Sequence, residues 1–112
     1  MNTIQVPIKV SDETLEDILE TAFNSTSYWL YSKNIKHKGG FNYDLLVPIT
    51  DDDSEFERNT LCKRKLLKGL IQYISEYGIT LMEDGKVNSS ILDGCDCDLI
   101  LQYALFGEQV FG

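Results

Sequence analysis

Histidine is almost missing from this sequence: His37 is the only one, and that scarcity removes much acid–base and metal chemistry at once. A closed four-ligand zinc site would need His37 together with Cys62, Cys95 and Cys97. Cys95 and Cys97 stand one residue apart and Cys62 stands alone, so the three are read as inert free thiols. A Ser-His-Asp or Cys-His catalytic set would depend on the same histidine, which sits in a basic, glycine-flanked loop between Lys36 and Lys38. No Gly-x-Gly-x-x-Gly occurs, and Gly39-Gly40 is not followed by the Lys-Ser/Thr of a phosphate loop. The run Asp51-Asp52-Asp53 lacks the spaced ligands and closing Glu of a calcium loop and reads as a surface turn. No apolar run approaches the ~20 residues that cross a bilayer. The first residues lack the basic and apolar blocks of a signal peptide. The expectation is a cytoplasmic protein that is not an enzyme, with no cofactor, no metal and no membrane partner.

Basic residues are also few. Ten Lys and Arg face eighteen Asp and Glu, for a net charge of −8. Direct nucleic-acid binding relies on a basic surface that displaces counterions, so this balance argues against it. It favours attraction to basic partners instead. Eight of the ten cations lie between Lys33 and Lys68, which leaves both ends acidic.

What is present suits one globular domain over residues 1–112, with 43% apolar and 25% charged residues. Residues 3–10 alternate through Ile4, Val6, Ile8 and Val10 and predict a half-buried strand. Ser11 reads as a helix N-cap, followed by the stripe Leu15, Ile18, Leu19, Ala22, Phe23. Glu16, Asp17 and Glu20 fall on its outer face. Residues 28–49 predict a hairpin with its turn near Gly39-Gly40, the first strand starting at Tyr28-Trp29-Leu30-Tyr31. A short strand is expected around Phe56. Thr60 is the expected N-cap of a second helix reaching about Tyr77, with Leu66, Leu67, Leu70, Ile71, Ile74 and Tyr77 inward. Lys63, Arg64, Lys65 and Lys68 crowd its first half, the unfavourable end of the helix dipole. A short strand at 79–82 and a turn at 83–86 precede the last twenty residues.

Those twenty residues form the densest apolar run. Leu99, Ile100, Tyr103, Ala104 and Phe106 recur at helical spacing, Asp96 and Asp98 lie at the favourable end, and Gly107 stands where the helix would stop. Such a segment is expected to dock into the core. The fold class is therefore α+β: a small antiparallel sheet with about three helices packed on it, the C-terminal helix completing the core.

Lys36-His37-Lys38-Gly39-Gly40 is the best anion-attracting stretch, because glycines let backbone N–H groups approach a ligand and the lysines supply charge. Tyr28, Trp29 and Tyr31 just upstream offer a stacking platform for a base, and Arg64 adds a further cation. Trp29 as a core residue and the lysines as a solvated turn make the bland alternative.

Tyr28-Trp29, Gly39-Gly40, Lys65-Leu66-Leu67-Lys68-Gly69 and the block from Asp96 through Gln102-Tyr-Ala-Leu-Phe-Gly-Glu108 to Val110-Phe111-Gly112 resemble a set of small proteins of bacteriophages and prophages. The resemblance implies an accessory role against host defence and carries no catalytic residues. Two routes follow. A sponge would sequester a nucleotide immune signal through Tyr28, Trp29, Lys36, His37, Lys38, Gly39, Gly40 and Arg64. An inhibitor would instead mimic nucleic acid with the acidic surface at 12–20 or 51–57 and occupy a basic groove on a host defence protein. A sheet this small leaves edges to cover, so a homo-oligomer is expected.

Overall fold

The computed structural model describes residues 9–31, 35–49, 55–77 and 92–112 in full, and the backbone alone at 82–83 and 86–87. The strand expected over 3–10 lies almost wholly outside the described residues, as do the turn at 51–53 and positions 78–81.

Helix α1 spans Asp12–Ser25, and the Ser11 Oγ accepts the Thr14 N–H at 3.1 Å as its N-cap. Asp12 and Glu13 occupy the first turn, where the dipole favours them. Leu15, Ile18, Leu19 and Ala22 are buried to 3% exposure or less. Each of the larger three stabilises the fold by about 1.5–3 kcal/mol through its removal from water.

The chain then departs from the expected hairpin. Residues 28–31 are not a strand: the Trp29 and Leu30 N–H groups donate to the Thr26 carbonyl at 3.0 and 2.7 Å, closing a tight turn off the end of α1. Burial of Trp29 against distant residues overrides its local β preference. The hairpin starts later, with β1 (Ile35–Gly39) pairing antiparallel to β2 (Asn42–Pro48). Strand β3 (Phe56–Leu61) pairs with the other side of β2, giving the sheet order β1-β2-β3. Leu45, Val47 and Leu61 are buried while Leu46 is exposed, so one face packs on the helices and the other is solvated.

Helix α2 spans Lys63–Tyr77. Thr60 is not its N-cap; it lies within β3, paired with Asp44, because the ladder to β2 runs on through Leu61. The inward stripe also differs from expectation. Leu66, Gly69, Leu70, Tyr73 and Ile74 are buried, whereas Ile71 and Tyr77 are exposed. Gly69 explains the rotation: a Cβ there would lie 2.6 Å from both the Ile100 O and the Ala104 N of the next helix. Its missing side chain lets two helix backbones meet, which turns Tyr73 inward and Ile71 out.

A minimal antiparallel pair follows, β4 (Met82–Glu83) with β5 (Lys86–Val87). Helix α3, Gly94–Phe106, is capped by Asp93 in a reciprocal box with Asp96. It ends at Gly107, whose left-handed φ of 75° lets its N–H reach the Tyr103 carbonyl. It packs against both α1 and α2 and is buried on most of its circumference, with Ile100 and Leu101 fully enclosed. The terminal block therefore completes the core of an α+β domain. None of the described helices is long and apolar enough to cross a membrane.

Candidate functional site

Trp29 is 2% exposed, and this overturns its assignment as a stacking platform for a base. Its ring lies parallel to Phe111 at 5.0 Å and beside Phe106 at 5.9 Å. Its Nε1–H donates to Asp98 Oδ1 at 2.9 Å. Tyr28 is 56% exposed, but its hydroxyl donates to Asp98 Oδ2. Desolvation and then the Asp98 carboxylate push that phenol up to about 12. Both aromatic residues are bound to α3, and Trp29 also to the segment after it.

The hairpin tip makes a different set of contacts. Gly39 and Gly40 take φ of 101° and 57°, left-handed values that suit glycine and turn the chain. The His37 ring stacks on Tyr43 at 4.6 Å. Its Nε2 lies 2.8 Å from the Gly40 carbonyl, which can only accept, so the ring carries its proton there. Lys38 pairs with Asp44 at 3.3 Å, and Arg58 pairs with the same carboxylate at 2.7 Å. The Arg58 hydrogen bond holds the Asp44 carboxyl below its ordinary range. Among the described residues Lys36 and Arg64 form no ion pair, and both are exposed. No described contact joins Tyr28 or Trp29 to the segment from Lys36 to Gly40. The eight residues expected to form one ligand site thus fall into an aromatic pair tied to Asp98, a partly neutralised hairpin tip and a separate cation at the start of α2.

What the sequence reasoning missed is a polar knot inside α3. Asp98 and Gln102, 8% and 1% exposed, lie one helical turn apart. Gln102 Nε2 donates to Asp98 Oδ1 at 2.9 Å, so three donors converge on one carboxylate. The other side of the Gln102 amide reads the backbone of the following segment. Its Oε1 accepts the N–H groups of Val110 and Phe111, each at 2.8 Å, and its Nε2 also donates to the Phe111 carbonyl at 3.1 Å. Two polar residues spaced i, i+4 beyond the first turn of a largely apolar helix were the available signal. Beside the knot opens a cleft of about 520 Å³, lined by Ser25, Tyr28, Asp93, Gly94, Cys95, Asp98 and Gly112. Its charged side chains are acidic.

The outer face of α1 completes the picture. Asp12, Glu13, Glu16, Asp17 and Glu20 are all exposed, and the helix contains no Lys or Arg. Asp12 meets Lys63 of α2 at 2.7 Å. At 1.5 Å rise per residue, these five carboxylates span about 12 Å of the helix axis, one per about 3 Å on average. Duplex DNA presents one charge per about 1.7 Å, and a single strand one per about 3.4 Å. Among the described residues, no three His, Cys, Asp or Glu side chains converge as ligands for a metal.

No family model, curated protein or solved structure matches this chain. Any function must therefore be inferred from the geometry itself. The knot and Trp29 hold structure together; the hairpin tip is half neutralised by Asp44; the acidic helix is rigid, exposed and of one sign. Of these, the helix has the chemistry to engage a partner without rearranging the fold.

Proposed function

We propose that this chain is a non-catalytic interaction protein that presents α1 as a nucleic-acid-like anionic rod to a basic groove of a host defence protein. The phage accessory setting suggested by the block at 96–112 gives that role its context, in the cytoplasm of an infected bacterium. The observation that carries it is the single-sign outer face of α1, held on a helix whose inner face is buried to 3% exposure or less. A row of carboxylates at this density, on a helix already folded, offers a basic groove what a phosphate backbone offers, with no backbone ordering to lose on binding.

A nucleotide sponge has less support. Stacking a base on Trp29 would first require expelling Phe111, and one of the two hairpin lysines is already paired. Catalysis has little support as well. His37 uses its Nε2 proton on Gly40, and burial pushes the Cys97 thiol up to about 12, far from a reactive thiolate.

The test is inhibition of nucleic-acid-binding defence nucleases, measured with Glu16→Lys and Glu20→Lys combined and, separately, with Lys36→Ala and Lys38→Ala combined. Both acidic positions lie beyond the first turn, so the reversal spares the favourable dipole interaction of Asp12 and Glu13. The charge reversal is expected to abolish inhibition, duplex DNA to compete with the wild-type protein, and added salt to weaken binding. Full inhibition by a folded charge-reversed variant refutes the proposal. So does a nucleotide released on denaturing the purified protein whose retention depends on Lys36 and Lys38.

A further inference from the structure

The polar knot does more than stiffen α3, because half of its hydrogen bonds grip the segment that follows the helix. Residues 108–110 are exposed, Val110 at 52%, and the segment leaves the helix through the left-handed Gly107. Its recognition is that of a bound peptide. Gln102 takes both N–H groups and the carbonyl of the dipeptide Val110-Phe111, contacts any extended sequence could make. One side chain supplies specificity: Phe111, flat against Trp29 at 5.0 Å and edge-on to Phe106 at 6.0 Å.

We propose that the groove between Trp29, Gln102 and Phe106 is a peptide-binding site for an extended segment carrying a phenylalanine, with residues 108–112 as its resident and displaceable ligand. Main-chain hydrogen bonds with one aromatic pocket are a recurring mode of peptide recognition. Release of the segment would leave Gln102, 1% exposed, with an amide oxygen lacking both its donors, and Trp29 with an uncovered face. Both defects are repaired by another segment of the same chemistry. This inference is independent of the acidic helix and would survive the failure of that proposal.

Trp29 is the only tryptophan in the chain, so its emission reports the groove directly. The full-length variant Val110→Pro with Phe111→Ala removes one of the donated N–H groups and the stacked ring, and is expected to shift Trp29 emission to the red. Adding the N-acetylated peptide Glu-Gln-Val-Phe-Gly should restore the emission saturably. The same peptide with Ala for Phe should bind about tenfold more weakly or worse. The wild-type chain should bind the peptide far more weakly than the variant, since its tethered segment competes at an effective concentration of about millimolar. Unchanged emission in the variant, or no response to peptide, overturns the proposal. Should the variant fail to fold, hydrogen exchange on the wild-type chain decides. The Val110 and Phe111 amides are expected to exchange well before those of Ile100 and Leu101, and equal protection overturns the proposal.

Discussion

Asp98→Ala tests how much of the fold depends on the knot. The carboxylate accepts from Tyr28, Trp29 and Gln102, and the three donors do not suffer equally from its loss. Tyr28 is 56% exposed, so its hydroxyl turns to water at little cost. Gln102 Nε2 keeps the Phe111 carbonyl at 3.1 Å. Trp29 is 2% exposed and its indole N–H has no other partner among the described residues, so it bears the penalty of an unmet buried donor, about 1–3 kcal/mol. Losing two further charge-assisted bonds brings the expected total to about 2–4 kcal/mol. For a domain of this size that lowers the Tm by roughly 8–16 °C. Asp98→Asn keeps the shape and can keep one oxygen on Trp29 and Gln102 while its amide faces Tyr28, whose hydroxyl can accept. It should cost only about 1 kcal/mol, and Tyr28→Phe less again. The assay is thermal and denaturant unfolding of the three variants with Trp29 emission as the probe. An alanine variant as stable as the asparagine one would refute the idea that an orphaned Trp29 N–H dominates.

Gly69→Ala should destabilise by about 1–3 kcal/mol despite the better helix propensity of alanine, because the new Cβ meets backbone atoms of α3; an equal or higher Tm would show that the helices can separate freely. Alkaline pH should unfold the protein earlier than ordinary tyrosines would allow. Tyr28 and Cys97 are pushed up to about 12, chiefly by burial, from ordinary values of 10.0 and 9.0. Tyr73 is also raised, first by burial, and Tyr103, first by its hydrogen bond to Glu76. Groups raised in the folded state contribute stability that is intact below their unfolded values, so stability should begin to fall at pH about 9–10 and go on falling toward 12. Flat stability across that window, followed by denaturant titration, would refute it. Thiol labelling of the native protein should be fast at exposed Cys95, slower at half-buried Cys62 and absent at Cys97 until unfolding; rapid native labelling of Cys97 would contradict its burial.

Helix α1 was legible because every cue agreed: a serine cap, acidic residues after it and an unbroken apolar stripe. The C-terminal helix was legible as a core element for its apolar density, but not in its detail. Asp98 and Gln102 interrupt that density, and the partners that make them fit, Trp29 and Phe111, lie 69 and 9 residues away from them. The aromatic run at 28–31 looked like a strand for the same reason, since its fate is fixed by contacts no local pattern records. In α2 the apolar positions admitted two stripes, and the choice hung on Gly69, whose role shows only once the neighbouring helix is in place. The cations at the start of α2 stand at the unfavourable end of its dipole. Two of them have structural work: Lys63 reaches Asp12 and Lys65 reaches Asn59 and Thr60, tying the helix to α1 and β3.

The acidic face of α1 is different, because stability alone would not produce it. Asp12 and Glu16, Glu13 and Asp17, and Glu16 and Glu20 are like charges at i, i+4, each pair unfavourable by about 0.2–0.5 kcal/mol. The buried stripe of Leu15, Ile18, Leu19 and Ala22 outweighs that loss several times over, so the helix tolerates the charges without needing them. Lysine at 16 turns the repulsion with Asp12 and Glu13 into attraction and lysine at 20 does the same with Asp17, while the 16/20 pair stays one of like charges, so the net change favours the helix at no steric cost. The Glu16→Lys, Glu20→Lys protein should therefore melt at or above the wild-type temperature while failing to inhibit its target, and that divergence of stability from function separates a selected binding surface from a merely solvated one. If both properties fall together, the acidic residues support the fold in some way their exposure does not reveal, and α1 loses its claim to be the interaction surface.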